Sequence, residues 1–208
     1  MSNWIVEGEQ DWPLFIFAHG AGAGMEHDFM QSVSAGLVAK QIRVARFNFP
    51  YMVKRAEDGK KRPPDRAPKL LEAYLEVITH FAQNKPVVIG GKSMGGRMAS
   101  LLAGEPLVAG VACLGYPFHP PGKPENYKGE HLASLDKPCL ILQGERDTFG
   151  KKEEFADFAL SDSVRVSFVP GGDHSFKPRK RSGFTEAQNI ASAVDSLSQF
   201  IFEVYDAK

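Results

Sequence analysis

The chain has 208 residues, enough to bury one full hydrophobic core, and nothing in it demands a second, so a single domain over 1–208 is expected. Apolar residues make up 43%, which argues against disorder, and 25 Lys and Arg balance 25 Asp and Glu, so no global charge draws the chain to nucleic acid or to an anionic membrane. The amino terminus lacks the basic-then-apolar build of a signal peptide, no apolar run reaches bilayer length, and Cys113 and Cys139 lie in apolar runs that suit buried thiols better than a disulfide, so the expected compartment is the cytoplasm.

In chain order, Ile5 and Val6 suggest a short first strand, followed by strand-like apolar runs at 14–18, 42–47, 87–89, 108–114, 139–142 and 164–169. These runs are mostly continuous rather than alternating, as expected for parallel strands covered on both faces. Helix patterns lie between them. Met25, Phe29, Val33 and Leu37 recur every four residues, and Leu70, Leu71, Tyr74, Leu75, Ile78 and Phe81 form a second stripe. Segments 95–103 and 151–160 complete the helical set before a last helix carrying Ile190, Val194, Leu197, Ile201 and Val204, which Thr185 and Gln188 open as a capping box. Segments 50–67 and 115–138 look irregular. The alternation predicts an α/β fold: a mostly parallel sheet of about six to seven strands with helices on both faces. Sites in such sheets form at the carboxyl ends of the strands.

At the end of the run near 87–90 stands Gly91-Lys92-Ser93-Met94-Gly95, a Gly-x-Ser-x-Gly pentapeptide between a strand and a helix. A serine in a strained turn there is lifted out of the sheet, and glycines two residues to either side avoid collision with neighbouring backbone. The hydroxyl also meets a helix N-terminus, whose free N–H groups favour developing negative charge. A serine needs a base, and the base an orienting acid. Of six histidines only His174 directly follows the last strand run, after Gly171 and Gly172. The acid should follow the preceding run: Asp147 is preferred in Gln143-Gly144-Glu145-Arg146-Asp147, with Glu145 a rival and the adjacent Asp173 ranked below both. Small residues in His19-Gly20-Ala21-Gly22-Ala23-Gly24 allow backbone N–H groups to approach a substrate oxygen, so Ala21, or Gly22, with Met94 supplies the expected oxyanion donors, while His19 braces the loop. Gly91-Lys92-Ser93 does not end a phosphate-binding loop, since Pro86 occupies the position of that motif's first glycine.

In these motifs and their order the chain resembles the α/β-hydrolase superfamily. More narrowly it is similar to the small bacterial hydrolases grouped with KANL/Tex-type domains, and more distantly to dienelactone hydrolases, which carry cysteine where this chain has Ser93. The stretches Arg46-Phe47-Asn48-Phe49-Pro50-Tyr51, Leu114-Gly115-Tyr116-Pro117-Phe118 and Gly172-Asp173-His174-Ser175-Phe176 add to the match, which covers nearly the whole chain. The resemblance implies a core sheet without a large lid domain. It also implies a caution, because some relatives serve as scaffolds; a binding protein on a hydrolase fold is the alternative.

The resulting expectation is a serine hydrolase that cleaves a small carboxylic ester or thioester through an acyl-enzyme on Ser93, without metal or organic cofactor. Gly22, Asn48, Tyr51, Tyr116, Phe118 and Phe149, near strand ends, are the expected substrate-binding walls. The basic residues of 51–67, and Lys177, Arg179, Lys180 and Arg181, read most plainly as solvated surface; the sharper reading is attraction of an anionic acyl substrate. No nucleic-acid recognition motif and no membrane segment accompany them.

Overall fold

A computed structural model describes residues 3–207, so only the outermost positions of the 1–208 span, residues 1, 2 and 208, lie outside the described residues. The elements follow the order β1 (Trp4–Glu7), β2 (Leu14–Ala18), α1 (Asp28–Val38), β3 (Arg43–Phe47), α2 (Pro50–Asp58), α3 (Ala67–Ala82), β4 (Val87–Lys92), α4 (Met94–Leu101), β5 (Val108–Leu114), β6 (Cys139–Gly144), β7 (Val164–Val169) and α5 (Glu186–Asp206). Among the described residues one sheet runs β1-β3-β2-β4-β5-β6-β7. All neighbouring pairs are parallel except β1, which joins the edge antiparallel to β3. A short strand at a sheet edge needs only one partner, and Ile5 and Val6 supply its two-residue apolar centre.

Burial on both faces explains the continuous apolar runs. On one face Ile16, Ile89, Val111 and Ile141 pack with α3 and α4; on the other Phe15, Val88, Ala112 and Leu140 pack with α1 and α5. The sheet is therefore sandwiched between two apolar layers, and its carboxyl edge is left for chemistry. The segment after β5 folds down rather than outward: Phe118, Leu132 and Leu135 join the core, with one 3-10 turn at Glu130–Ser134. It forms no large lid.

Three local expectations need correction. Segment 50–67 is not irregular throughout, because α2 occupies Pro50–Asp58. Its charged composition conceals the helix, but Pro50 presets the first turn, Tyr51 and Met52 bury one face, and Gly59 ends it in the left-handed region at φ 69°. Segment 151–160 holds only a 3-10 turn, Lys152–Ala156. Its apolar residues Phe155 and Phe158 are satisfied by packing on Phe118, edge-on for Phe155 and stacked for Phe158, which takes one turn rather than a helix. The first helix begins at Asp28, after His27 caps it, so Met25 belongs to the preceding loop.

Tyr74 on α3 ties two central strands together from below. Its buried hydroxyl accepts the Gly90 N–H at 3.0 Å and lies within donating distance of the Gly90 and Ile16 carbonyl oxygens. Tyr74→Phe leaves that buried N–H unpaired at almost constant volume. Urea denaturation of this variant should show a loss of about 1–3 kcal/mol; an unchanged midpoint would mean that another group takes the N–H.

Candidate active site

The carboxyl ends of β2, β4, β6 and β7 bring the expected residues together. At the end of β4 the chain turns through Ser93, whose φ is 51° and ψ −116°, and enters α4 at once. This backbone is unfavourable for a residue with a side chain and persists because the surroundings enforce it. A Cβ on Gly91 would lie 2.4 Å from the Gly95 carbonyl carbon, and one on Gly95 would lie 2.6 Å from the Ala18 and His19 carbonyl oxygens. Strand, turn and helix approach so closely that glycine alone fits at both positions.

The Ser93 Oγ lies 2.8 Å from His174 Nε2, and His174 Nδ1 lies 2.8 Å from Asp147 Oδ2. Asp147 is fully buried. Its Oδ1 accepts the Phe149 N–H at 2.9 Å, and its Oδ2 accepts from Gln143 Nε2 at 3.0 Å. The sequence reading missed Gln143. It also accepts the Tyr116 N–H at 2.8 Å, so one side chain on β6 locks the acid to the turn after β5. The available signal was a polar residue at the inner end of an otherwise apolar strand. Glu145 takes Lys152 and the Gly171 N–H instead, and Asp173 caps its own turn through the Ser175 and Lys177 N–H groups. Neither carboxylate is bonded to the imidazole.

Burial holds the His174 pKa below its ordinary value, and the nearby Lys92 charge lowers it further, against the opposing pull of Asp147 and Asp173. Lys92 is itself buried. Its Nζ donates to the His174 carbonyl oxygen and lies 5.5 Å from the centre of the Phe29 ring. Desolvation pushes its pKa down to about 8. The second residue of the pentapeptide, Lys92, is thus a strut between β4 and the histidine loop, a role its position in the motif does not reveal.

The loop after β2 is held by its carbonyl groups. The buried His19 ring takes the Phe49 N–H on Nε2 at 3.0 Å, which leaves Nδ1 to donate to the Gly20 oxygen at 2.7 Å. Tyr51 donates to the Ala21 oxygen at 2.9 Å, and Arg55 to the Gly22 oxygen at 3.0 Å. Because each peptide is planar and trans, fixing one carbonyl fixes the following N–H in the opposite sense. The Ala21 and Gly22 amides are oriented in this way, and both residues line the cavity that holds Ser93. Met94 opens α4, ahead of the first intrahelical bond from Arg97 N–H to the Ser93 oxygen, so its own N–H precedes the helix ladder.

That cavity measures about 460 Å³ and is walled by Phe29, Met30, Phe149 and His174. Phe149 packs against the His174 ring, centroids 4.3 Å apart and planes tilted by 31°. Of the expected walls, Gly22 and Phe149 face it, whereas four residues lie elsewhere. Tyr51 is buried beneath the loop as its brace, and Asn48 accepts the Met25 N–H at 2.9 Å. Tyr116 bonds the Lys128 oxygen, and Phe118 is fully buried against Tyr127, Phe155 and Phe158. Their aromatic surface is taken by core packing, which strand-end position does not disclose. His27, Phe29 and Met30, from the loop and first turn of α1, replace them as cavity walls. A hollow of about 530 Å³ at the opposite end of the sheet, near Pro86, Lys137 and Arg165, brings together no hydrogen-bonded nucleophile–base pair among the described residues. Among the described residues no group of three His, Cys, Asp or Glu could hold a metal ion, and no helix is long and apolar enough to cross a membrane.

A family model described as an alpha/beta hydrolase domain matches residues 11–202. Est1E from Butyrivibrio proteoclasticus, solved with ferulic acid, superposes with a TM-score of 0.73 at 17% identity, covering 99% of this chain and 96% of that one. A dienelactone hydrolase from Anabaena variabilis gives 0.72 at 16% identity, over 96% and 90%. A thermophilic esterase from Thermogutta terrifontis, with malate bound, gives 0.71 at 13% identity, over 97% and 93%. No curated protein matches the chain by sequence.

His19 carries a consequence for stability. Desolvation pushes its pKa down to about 4 from an ordinary 6.5. A base whose folded pKa is depressed contributes stability that is complete above the unfolded value and is lost as pH falls toward the folded one. The interval between 6.5 and about 4 corresponds to roughly 3 kcal/mol. Urea midpoints of the wild type should therefore fall more steeply on acidification through this interval than those of His19→Gln. Parallel pH profiles would contradict the assignment.

Proposed function

The chain belongs to the alpha/beta hydrolase domain family, and on that premise we propose that it is a serine hydrolase acting on small carboxylic esters or thioesters through an acyl-enzyme on Ser93. The observation that carries this reading is the continuous line from Ser93 Oγ through the His174 ring to Asp147, two contacts of 2.8 Å.

In the first step Ser93 Oγ attacks the carbonyl carbon while His174 Nε2 takes the hydroxyl proton. Asp147, held by Gln143 and the Phe149 N–H, orients the ring and stabilises its cation. The carbonyl oxygen becomes an oxyanion, received by the Ala21 or Gly22 N–H together with that of Met94; each such donor is worth about 2.7–4 kcal/mol in the transition state. His174 returns its proton to the departing alcohol or thiol, which leaves the acyl group on Ser93. Water then attacks with His174 as base, and the acid and free serine are released. Phe29, Met30 and Phe149 line the space next to the reacting carbon, whose size suits a short acyl or aryl group. The buried free thiols of Cys113 and Cys139 support a reducing, cytoplasmic setting.

A fluorophosphonate probe should label the wild type and fail to label Ser93→Ala, with para-nitrophenyl acetate hydrolysis lost in parallel. Labelling of the variant would reject the nucleophile, and a wild type without labelling or turnover would favour a binding protein on the same fold. The pH profile offers a separate check. Since neutral imidazole is the base, kcat/KM should rise with pH as His174 loses its proton, with a midpoint below 6.5. Lys92→Met removes a positive charge that lowers that pKa, so the acid limb should move to higher pH. A shift to lower pH would show that Lys92 does not act on the imidazole.

A further inference from the structure

The basic residues near the site are not spread evenly. Segment 51–67 carries six cations, Lys54, Arg55, Lys60, Lys61, Arg62 and Arg66, against Glu57, Asp58 and Asp65. The carboxylates are largely spoken for locally. Asp58 is held by both terminal nitrogens of Arg62 at 3.0 and 2.7 Å, and Asp65 pairs with Lys69 at 2.9 Å. Among the described residues neither Arg55 nor Lys61 has a carboxylate within ion-pair distance.

These two cations stand beside the reacting centre. Arg55 is anchored through its Nη1 to the Gly22 oxygen, on the back of the loop whose amides face the Ser93 cavity. Arg55, Lys61 and Arg62 line an open hollow of about 390 Å³ whose remaining wall includes Ala21 and Gly22. The same two residues line the Ser93 cavity, so the hollow and the cavity meet across a ridge of two small residues. The cavity therefore has one apolar side, at Phe29 and Met30, and one basic side, beyond Ala21 and Gly22. Glu26 lines the neighbouring surface with Gly22 and Arg55.

Building on the serine hydrolase reading, we infer that the preferred substrates are esters or thioesters bearing an anionic oxygen group, a carboxylate or a phosphate, which crosses the Ala21–Gly22 ridge to rest against Arg55 and Lys61 while the apolar part lies on Phe29 and Met30. An unpaired guanidinium can meet such a group with two parallel donors, and an unpaired ammonium adds a point charge without first breaking an existing ion pair. Both cations are solvated, so the attraction acts mainly on capture and is screened by salt.

The test compares kcat/KM within two matched pairs: para-nitrophenyl acetate with mono-para-nitrophenyl succinate, and S-acetyl-N-acetylcysteamine with acetyl-coenzyme A. The readout is the charged-to-neutral ratio, taken at low and high ionic strength in the wild type, Lys61→Gln and Lys61→Glu. The ratio in at least one pair should drop about tenfold at high salt, drop similarly in Lys61→Gln and drop further in Lys61→Glu. A response confined to the succinate pair identifies a carboxylate on the acyl side, and one confined to the thioester pair identifies phosphate on the thiol side. Ratios in both pairs that ignore salt and both variants would overturn the inference and leave the hydrolase reading standing. A wild type that turns over no member of either pair would remove the hydrolase reading and this inference with it.

Discussion

The closeness of β2, β4 and α4 governs the rest of this molecule. Gly91 and Gly95 allow helix backbone to come down onto strand backbone, and the chain between them can turn only if Ser93 takes a left-handed φ of 51°. One steric constraint thus does two things: it raises a hydroxyl above the sheet and places it at the first turn of a helix. The neighbouring strands supply what the hydroxyl needs, because parallel β6 and β7 deliver Asp147 and His174 to the same edge. A side chain at either glycine would separate the layers and change every distance in the site at once.

Around that turn, orientation is imposed indirectly. The direction of the loop after β2 is set by hydroxyl, imidazole and guanidinium groups that hold its carbonyl oxygens from behind. Tyr51 and Arg55 both belong to α2, so a helix outside the cavity determines which way the cavity's amides point. This makes α2 a joint between the loop and the basic surface, and it explains why a helix with so little apolar surface is nevertheless anchored at Tyr51 and Met52.

The electrostatics follow the same economy. Lys92 is buried next to Ser93 with a carbonyl oxygen and an aromatic face as partners rather than a carboxylate. Such burial is unfavourable for an ammonium, which is why its pKa falls, and part of that strain is offset by the fields of Asp147 and Asp173. The charge in turn biases His174 toward the neutral form that can accept a proton. Asp147 accepts from Gln143 and a backbone N–H, which fixes the carboxylate in the position from which it orients the His174 ring.

Much of this was legible in order along the chain. Continuous apolar runs announce strands covered on two faces, their alternation with helical stripes announces parallel connection, and glycines spaced around a serine announce a turn that only small residues permit; these are local or periodic properties, set by sterics and burial within a few residues. Segment 50–67 was not legible as a helix, because its stability comes from burying Tyr51 and Met52 against elements distant in sequence rather than from its own composition. Nor could position at a strand end distinguish a wall of the cavity from a brace or a core residue. Tyr51, Tyr116 and Phe118 differ in role only through the carbonyl groups and rings that meet them in space. Which residues stand at the carboxyl edge follows from the chain alone, since strand ends and turn chemistry are written locally. Which way each side chain and amide faces there follows from the folded arrangement, because it depends on hydrogen bonds and packing between segments tens of residues apart.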